Sequence, residues 1–315
     1  MISNICNSEK KWNVIRRTLL DKKQYYADRI FDAFNLCLMI SLLIVFAWPL
    51  WFVVIASFSD PNLVLSGQVL VIPKGITLDS YKKAFEFGQL WTGYANTIFY
   101  TLVGTALNLF LSVCFAYPVS QKSFMPRKLL LYMGIFTMYF SGGLVPMYLL
   151  IRSLGILDTR WAMIIPGALS VYNALIVRNY FENSIPGELK EAATLDGATS
   201  LQYLVKVVLP LSKPVLAVVG LYYAVAHWNN YSSALYYIYN AEKYPLQSIL
   251  RDLLMSTELL TDMLDLSAEE LMLMSKMAQT MKYSVIILAA VPMLIIYPLV
   301  QKFFVKGVML GSLKG

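Results

Sequence analysis

The sequence is poor in residues that do chemistry. It has one histidine, His227, and three cysteines, Cys6, Cys37 and Cys114. Cys37 and Cys114 fall inside apolar runs and the count is odd, so no disulfide framework is expected. A single histidine without paired cysteines also argues against a structural metal site. There is no G-x-x-x-x-G-K-[S/T] phosphate loop, so if ATP is used another chain must bind it. Charge is scarce as well: charged residues make up 14% of the chain, against about 25% in a soluble domain. Asp and Glu are nearly missing from the apolar runs, which leaves a membrane-embedded glycan-processing enzyme without catalytic carboxylates.

What is abundant is apolar surface. Hydrophobic residues are 58% of the 315 positions and the mean hydropathy is +0.58. The apolar residues come in long runs, which marks an integral membrane protein. With about 20 apolar residues needed to cross the hydrocarbon layer, six spans are expected: 33–57, 95–118, 129–151, 161–178, 211–236 and 283–304. The fold class expected is all-α, a polytopic membrane protein with one permease-like domain over 33–304. Residues 1–32 read as a polar tail able to form a short surface helix, and 305–315 as a short basic tail. The tail before the first span is too long and polar for a cleaved signal peptide. Between spans, Val69–Ile72 suggests an extended segment or strand. Tyr81, Ala84 and Phe85 suggest a short helix. In the long 237–282 segment, a leucine stripe after Pro245 suggests one helix and Ser267 to Glu270 the start of another.

Lys and Arg give the chain an orientation. Placing 1–32, 119–128, 179–210 and 305–315 on one side puts 17 of the 26 Lys and Arg residues at that face, counting Arg178, Lys213 and Lys302 at span edges. The positive-inside rule makes that face cytoplasmic. The net charge of +7 is then explained by membrane topology and not by nucleic-acid binding.

The chain's most informative stretch is polar: SIPGELKEAATLDGATSLQYLVKVVLP, from Ser184 to Pro210. Ser184 is placed to cap a first helix and Pro186 to sit in its first turn. Leu189, Ala192, Ala193 and Asp196 recur at i, i+3, i+4 and i+7 and are expected to share a face. That face is small in the middle, so another protein's surface can approach. Gly197 suits the left-handed residue that ends a helix. Thr199 and Gln202 have capping-box spacing for a second helix, which Pro210 is expected to close. The lesser alternative, on spacing alone, is an interfacial hairpin that links two spans.

Two further groups stand out at membrane depth. Ser141, Gly142, Gly143 and Pro146 loosen the third span, and the fourth contains Pro166, Gly167, Tyr172 and Asn173. Such backbone is tolerated where protein or a watery cavity satisfies the freed groups; close helix packing would also explain the glycines. In the fifth span, His227, Trp228, Asn229, Asn230 and Tyr231 set aromatic faces beside amides, the combination that packs a sugar's C–H faces and bonds its hydroxyls. The same residues could instead hold helices together.

The spacing Glu191-Ala192-Ala193, Gly197, Val207, Leu209-Pro210 resembles the coupling motif of ABC-importer permeases. Ser141 to Pro146, Ala226 to Asn229, Tyr244 to Gln247 and the Tyr297-Pro298 to Lys306-Gly307 ending resemble the carbohydrate-uptake branch of that family. More closely, they resemble its subgroup for complex oligosaccharides, related to the smaller permease of the maltose importer. The resemblance implies a coupling loop between helices 4 and 5, with ATPase coupling carried by Glu188, Glu191, Ala192, Ala193, Asp196, Gly197, Leu209 and Pro210. It implies a substrate path touching Gly142, Gly143, Asn173, His227, Trp228, Asn229, Asn230 and Tyr231. It also implies a second homologous permease, two ATP-binding subunits that hold ATP and Mg, an extracytoplasmic sugar-binding protein and a prokaryotic cell membrane. No cofactor is implied for this chain. A peptide or other non-sugar cargo is the alternative within transport.

Overall fold

A computed structural model describes residues 2–259, 280–296 and 298. Among them there are helices and no strand. The expectations for the second helix of the 237–282 segment, for most of the sixth span beyond 296 and for the 305–315 tail lie outside the described residues. The chain divides into two units, one ending at Ile76 and one beginning at Thr77.

In the first unit a single helix, α1 (Ile2–Ser57), runs from the polar tail into the first span. The tail therefore does not form a separate short helix. The segment Asp28–Ser57 has 30 residues, its most apolar stretch having a mean hydropathy of 2.6, and at 1.5 Å per residue it exceeds the ~30 Å of a hydrocarbon layer. A short helix, α2 (Pro61–Leu65), follows; the Asp60 carboxylate accepts from the Asn62 N–H at 2.8 Å and caps it. Val69–Ile72 forms no strand. It is irregular chain, with Val71 O accepting from the Trp51 indole at 3.0 Å.

The second unit is assembled on one long helix. After α3 (Asp79–Glu86), where a short helix is expected, comes α4 (Gly88–Ser120), 33 residues whose most apolar stretch has a mean hydropathy of 1.9. Much of its buried stripe is small or polar: Gly93, Thr97, Thr101, Gly104, Asn108, Ser112 and Ala116. Spaced three or four apart, these residues let neighbouring helices approach closely. Gly104 shows why: a Cβ there would overlap the His227 imidazole. Buried apolar clusters surround α4 at both halves. Leu90 packs with Trp228, Leu246 and Val285, and Ala116 packs with Val177, Phe181 and Val219.

The third expected span is broken. α5 (Arg127–Tyr139) and α6 (Leu144–Ser153) meet at 116°. Gly143, at φ 87 and ψ −179, makes the elbow in backbone space that essentially only glycine enters. Pro146 lies in the first turn of α6, where its missing N–H has no intrahelical partner to lose. The fourth expected span is also discontinuous. A 3₁₀ turn at Arg160–Met163 leads to irregular chain through Pro166-Gly167, and α7 (Val171–Asn183) begins only there. The irregular carbonyls are satisfied from α4 and the helix after the loop: Asn108 Nδ2 donates to Gly167 O at 2.6 Å, and Tyr223 OH donates to Ser170 O at 3.3 Å.

Next come α8 (Gly187–Leu195), α9 (Ser200–Tyr203), a π-helical turn Leu204–Val208, α10 (Leu209–Leu211) and α11 (Lys213–Trp228). Between Ser200–Leu211 and α11 the axis bends by 79°. The fifth span ends at Trp228, earlier than its expected limit of 236, and α12 (Ser232–Tyr237) follows a break. α13 (Leu246–Leu259) is the leucine-striped helix, and α14 (Thr280–Ile296) closes the described chain. By length and composition, two described helices can each cross a membrane, or up to four spans if each bent pair counts as one.

Candidate functional site: a clamped loop and a polar seam

The loop at 184–212 is built from two short helices and a tight turn. Ser184 caps nothing that follows; it is the C-terminal cap of α7, its N–H bonded to Tyr180 O at 2.9 Å. Pro186 precedes α8 at φ −59 and ψ 136 and so stands at its N-cap, outside the first turn. α8 ends with two backbone bonds, Ala198 N to Ala193 O at 2.9 Å and Gly197 N to Thr194 O at 3.1 Å. That is a Schellman end, and it needs Gly197 in the left-handed region, at φ 71. Thr199 and Gln202 then form both arms of a capping box, at 3.2 and 2.8 Å. Pro210 does not terminate the second arm. The π turn brings Leu209 N to Leu204 O, the helix runs on to Leu211, and the chain turns at Ser212.

No residue of α8 is buried. Glu188, Glu191, Ala192, Leu195 and Asp196 are exposed, Leu195 at 89%. Ala193 is half-buried and leans on the Val177–Phe181–Val219 cluster. The face expected to unite Ala192 with Ala193 is therefore split between outside and inside. Glu188, Ala192 and Leu195 form the outward row.

Side chains fasten this loop to the end of α4. Lys190 Nζ donates to Gln121 Oε1 at 2.6 Å, and Tyr117 OH donates to Ser200 O at 3.0 Å. Tyr180 OH adds a bond to Leu211 O at 3.1 Å. Tyr203 is buried in the cluster below. Behind α8 lies a cavity of about 430 Å³, lined by residues including Gln121, Phe181, Lys190, Glu191 and Tyr203.

The aromatic and amide group divides. His227 and Trp228 are buried. Asn108 gives its amide N–H to Gly167 O, so its oxygen faces His227 Nε2 at 2.9 Å, and the imidazole donates there. The Trp228 indole donates to Ala289 O at 3.1 Å and lies edge-on to Tyr94. Asn229, Asn230 and Tyr231 instead occupy the break after α11. Asn229 Nδ2 donates to Val225 O at 2.9 Å and its Oδ1 accepts from Gln247 at 3.3 Å. Asn230 Oδ1 caps α12 by accepting from Ser233 N at 3.1 Å. Tyr231 is exposed. Gly142 and Gly143 are exposed at the α5–α6 elbow, and Asn173 is buried in the first turn of α7. The structure thus does not gather the eight residues into one cluster.

A third arrangement was missed in the sequence. At the opposite end of α4 from the loop, buried Asn96 donates to Glu242 O at 2.6 Å and Tyr244 O at 3.1 Å, and accepts from Arg160 at 3.2 Å. Tyr100 OH donates to Lys243 O at 2.8 Å. Thr97 Oγ1 accepts from Leu246 N at 2.8 Å and serves as a cap for α13 from another helix. Asp158, at φ 54, accepts from Tyr239 N and Asn240 N and pairs with Lys243 at 3.0 Å. Partial desolvation opposes ionisation of Asp158. The Asn240 N–H, Lys243 and the Tyr239 N–H outweigh it and hold the carboxyl below its ordinary value. The available signal was Asn96 and Asn108 on the same side of an apolar run as Gly104. Nothing in the sequence around Asp158 announces its latch. Among the described residues there is no group of three or more His, Cys, Asp or Glu placed to hold a metal.

No protein-family model matches the chain. Whole-length relatives are nevertheless clear. The polygalacturonan/rhamnogalacturonan transport system permease protein YtcP of Bacillus subtilis is 37% identical over 289 residues, covering 91% of this chain and 99% of its own length. Protein LplC of the same organism is 37% identical, with 92% and 96% covered. Among solved structures, a bacterial ABC transporter involved in the import of the acidic polysaccharide alginate contains a chain 35% identical to this one. It matches 88% of this chain and 98% of its own, with a TM-score of 0.80.

Proposed function

The chain belongs to the carbohydrate-uptake permeases of ABC import systems, and from that premise we propose that it forms half of a translocation path for oligosaccharides cut from acidic polysaccharide. In this reading the six-span arrangement holds, with α5–α6 and the segment before α7 as discontinuous spans. The 184–212 loop lies in the cytoplasm and the two termini lie on the same side. Two ATPase subunits grip the loops of this chain and of a second, related permease, and they carry out the hydrolysis. An extracytoplasmic binding protein delivers the sugar.

The observation that carries the reading is α8: an exposed row of Glu188, Ala192 and Leu195 on a helix that buries nothing of its own. A helix so poorly embedded in its own chain is suited to a partner's cleft. The acidic cargo is supported by the substrates for which two relatives are named, polygalacturonan and alginate. It is supported also by this chain's charge: α4, α5, α6 and α11 contain no carboxylate to repel a uronate. Tyr231 and the amides of Asn229 and Asn230 are the residues offered to sugar, while His227 and Trp228 position the helices beneath them.

Affinity purification of the chain from its native membrane in mild detergent, with mass spectrometry of what is retained, tests the assembly. A second permease and an ATPase are expected. A chain that remains alone even after crosslinking overturns the reading. The binding protein recovered with the complex is then offered uronic-acid oligosaccharides, neutral oligosaccharides and peptides. Retention of peptides alone would establish the alternative cargo.

A further inference from the structure

The loop that faces the ATPase must move the spans, yet α8 buries no side chain. Only Ala193 leans on the apolar cluster, and behind much of the helix the cavity of about 430 Å³ leaves no packed side chains to push against. Beyond the chain on either side of it, α8 is tied to its surroundings by side-chain bonds, and two bonds of the loop run to α4. Lys190 on α8 grips Gln121, and the first residue of α9, Ser200, is gripped by Tyr117. Tyr117 lies in the last turn of α4 and Gln121 is its C-terminal cap. Both arms of the loop are thus fastened to one helix end. α4 is 33 residues long, roughly 50 Å at 1.5 Å per residue, and at its far end Asn96, Thr97 and Tyr100 hold the 242–246 segment.

We propose that the Lys190–Gln121 and Ser200–Tyr117 bonds are the joints through which the loop drives α4, with Tyr117 and Gln121 as positioning residues for coupling. This rests on the reading of the loop as the ATPase contact. The joint is directional in chemistry: an ammonium donating to an amide oxygen is stronger than a neutral pair, and the Tyr117 bond goes to a backbone carbonyl that no loop side chain can remove.

The test uses the whole complex in lipid nanodiscs, with native cysteines replaced and a fluorophore on Thr92→Cys, an exposed position in the second turn of α4. MgATP with vanadate is the probe. In the parent complex, MgATP shifts the fluorescence. In the Gln121→Ala/Tyr117→Phe variant the shift is expected to shrink by about fivefold, in the range mutations along a coupling network produce. ATPase content and basal hydrolysis should stay within about twofold, because both side chains are engaged with this chain's own α8 and α9. Exchanging the pair, Gln121→Lys with Lys190→Gln, should restore most of the shift; a merely structural role would not respond to that exchange. An undiminished shift in the Gln121→Ala/Tyr117→Phe variant overturns the proposal. So does a loss of shift and hydrolysis together, or an exchanged pair that behaves like the Gln121→Ala/Tyr117→Phe variant. A parent complex that holds an ATPase but gives no shift refutes coupling through this helix, whereas a parent complex with no ATPase refutes the functional reading on which the joints rest.

Discussion

The two ends of α4 are fastened in opposite ways. At the Asn96 end the bonds are buried, multiple and directed at backbone: one asparagine satisfies two carbonyls, and a threonine caps a helix 149 residues away in sequence. At the Gln121 end the second arm of the loop is anchored by buried Tyr203 and Val208, but α8 buries none of its own residues and is held by side-chain bonds at its margins. Unsatisfied buried polar groups are costly, so the first end is committed to one shape. The second can change its partners in water at little cost. A lever needs this asymmetry: a fixed grip at one end, and at the other a handle that something else can hold.

The sharpest way to break the comparison is to cut the shaft between the ends. Gly104→Leu drives a side chain into the buried His227 ring, which is itself tied to Asn108. Overpacking of this kind costs about 1–3 kcal/mol or more, and here it also spreads α4 from α11. The expected result is a large drop in the melting temperature of the detergent-solubilised complex, with transport lost at both ends together. Gly104→Ala should do the same to a smaller degree.

Asn96→Ala attacks the fixed end alone. It leaves Glu242 O and Tyr244 O without their donor, and each orphaned buried group costs about 1–3 kcal/mol; exposed Arg160, which also lies over the Phe99 ring, turns to water. Melting should fall clearly, and hydrogen exchange should rise in 242–246 while 187–203 stays as it was. Exchange rising in both segments alike would mean that the ends are not independent.

Gly197→Val attacks the handle. No neighbouring atom stands in the way of a Cβ there, so the cost is backbone strain at φ 71, about 1–3 kcal/mol for a branched residue in this region. Global melting should hardly change, because the loop end unfolds locally. ATPase co-purification and sugar uptake should fall several-fold. This is the reverse of the Asn96→Ala pattern.

The difference between the ends also explains what could be read in the sequence. The handle was legible because its structure is local. Thr199 with Gln202 and the glycine after α8 act within a few residues, so spacing predicts the capping box and the Schellman end. The errors were local as well: Ser184 was claimed by the helix before it, and Pro210 was absorbed by a π turn. The fixed end was illegible because its bonds join residues far apart in the chain, Asn96 to Glu242 and Asp158 to Asn240. The breaks in the third and fourth spans were marked by Ser141 to Pro146 and by Pro166-Gly167, but what satisfies them was not. A hydropathy window sees apolar residues at 129–151 and 161–178, but not that Asn108 and Tyr223 satisfy the irregular backbone between Ile164 and Ser170. Polar residues on a neighbouring helix make such a break affordable in a membrane, and no local pattern records them.

The smallest expected effect comes from the one latch contact that is partly open to water. Asp158 pairs with Lys243 with both side chains about a third exposed, so solvent screens the pair and its contribution is under about 1 kcal/mol. Because the Asp158 carboxyl titrates below its ordinary value, the folded form favours the ion. Its contribution is complete above the ordinary carboxylate value, about 4, and disappears as pH falls through the lower folded value. Melting of the complex between pH 5 and 8 should therefore not depend on this group's titration. Asp158→Asn retains an acceptor for Tyr239 N and Asn240 N but removes the charge opposite Lys243. It should lower melting by a degree or so at neutral pH, and the deficit should close in strong acid, where the parent carboxyl is protonated too. A deficit that persists unchanged in acid would mean that the Lys243 charge is immaterial and the latch is held by backbone geometry alone.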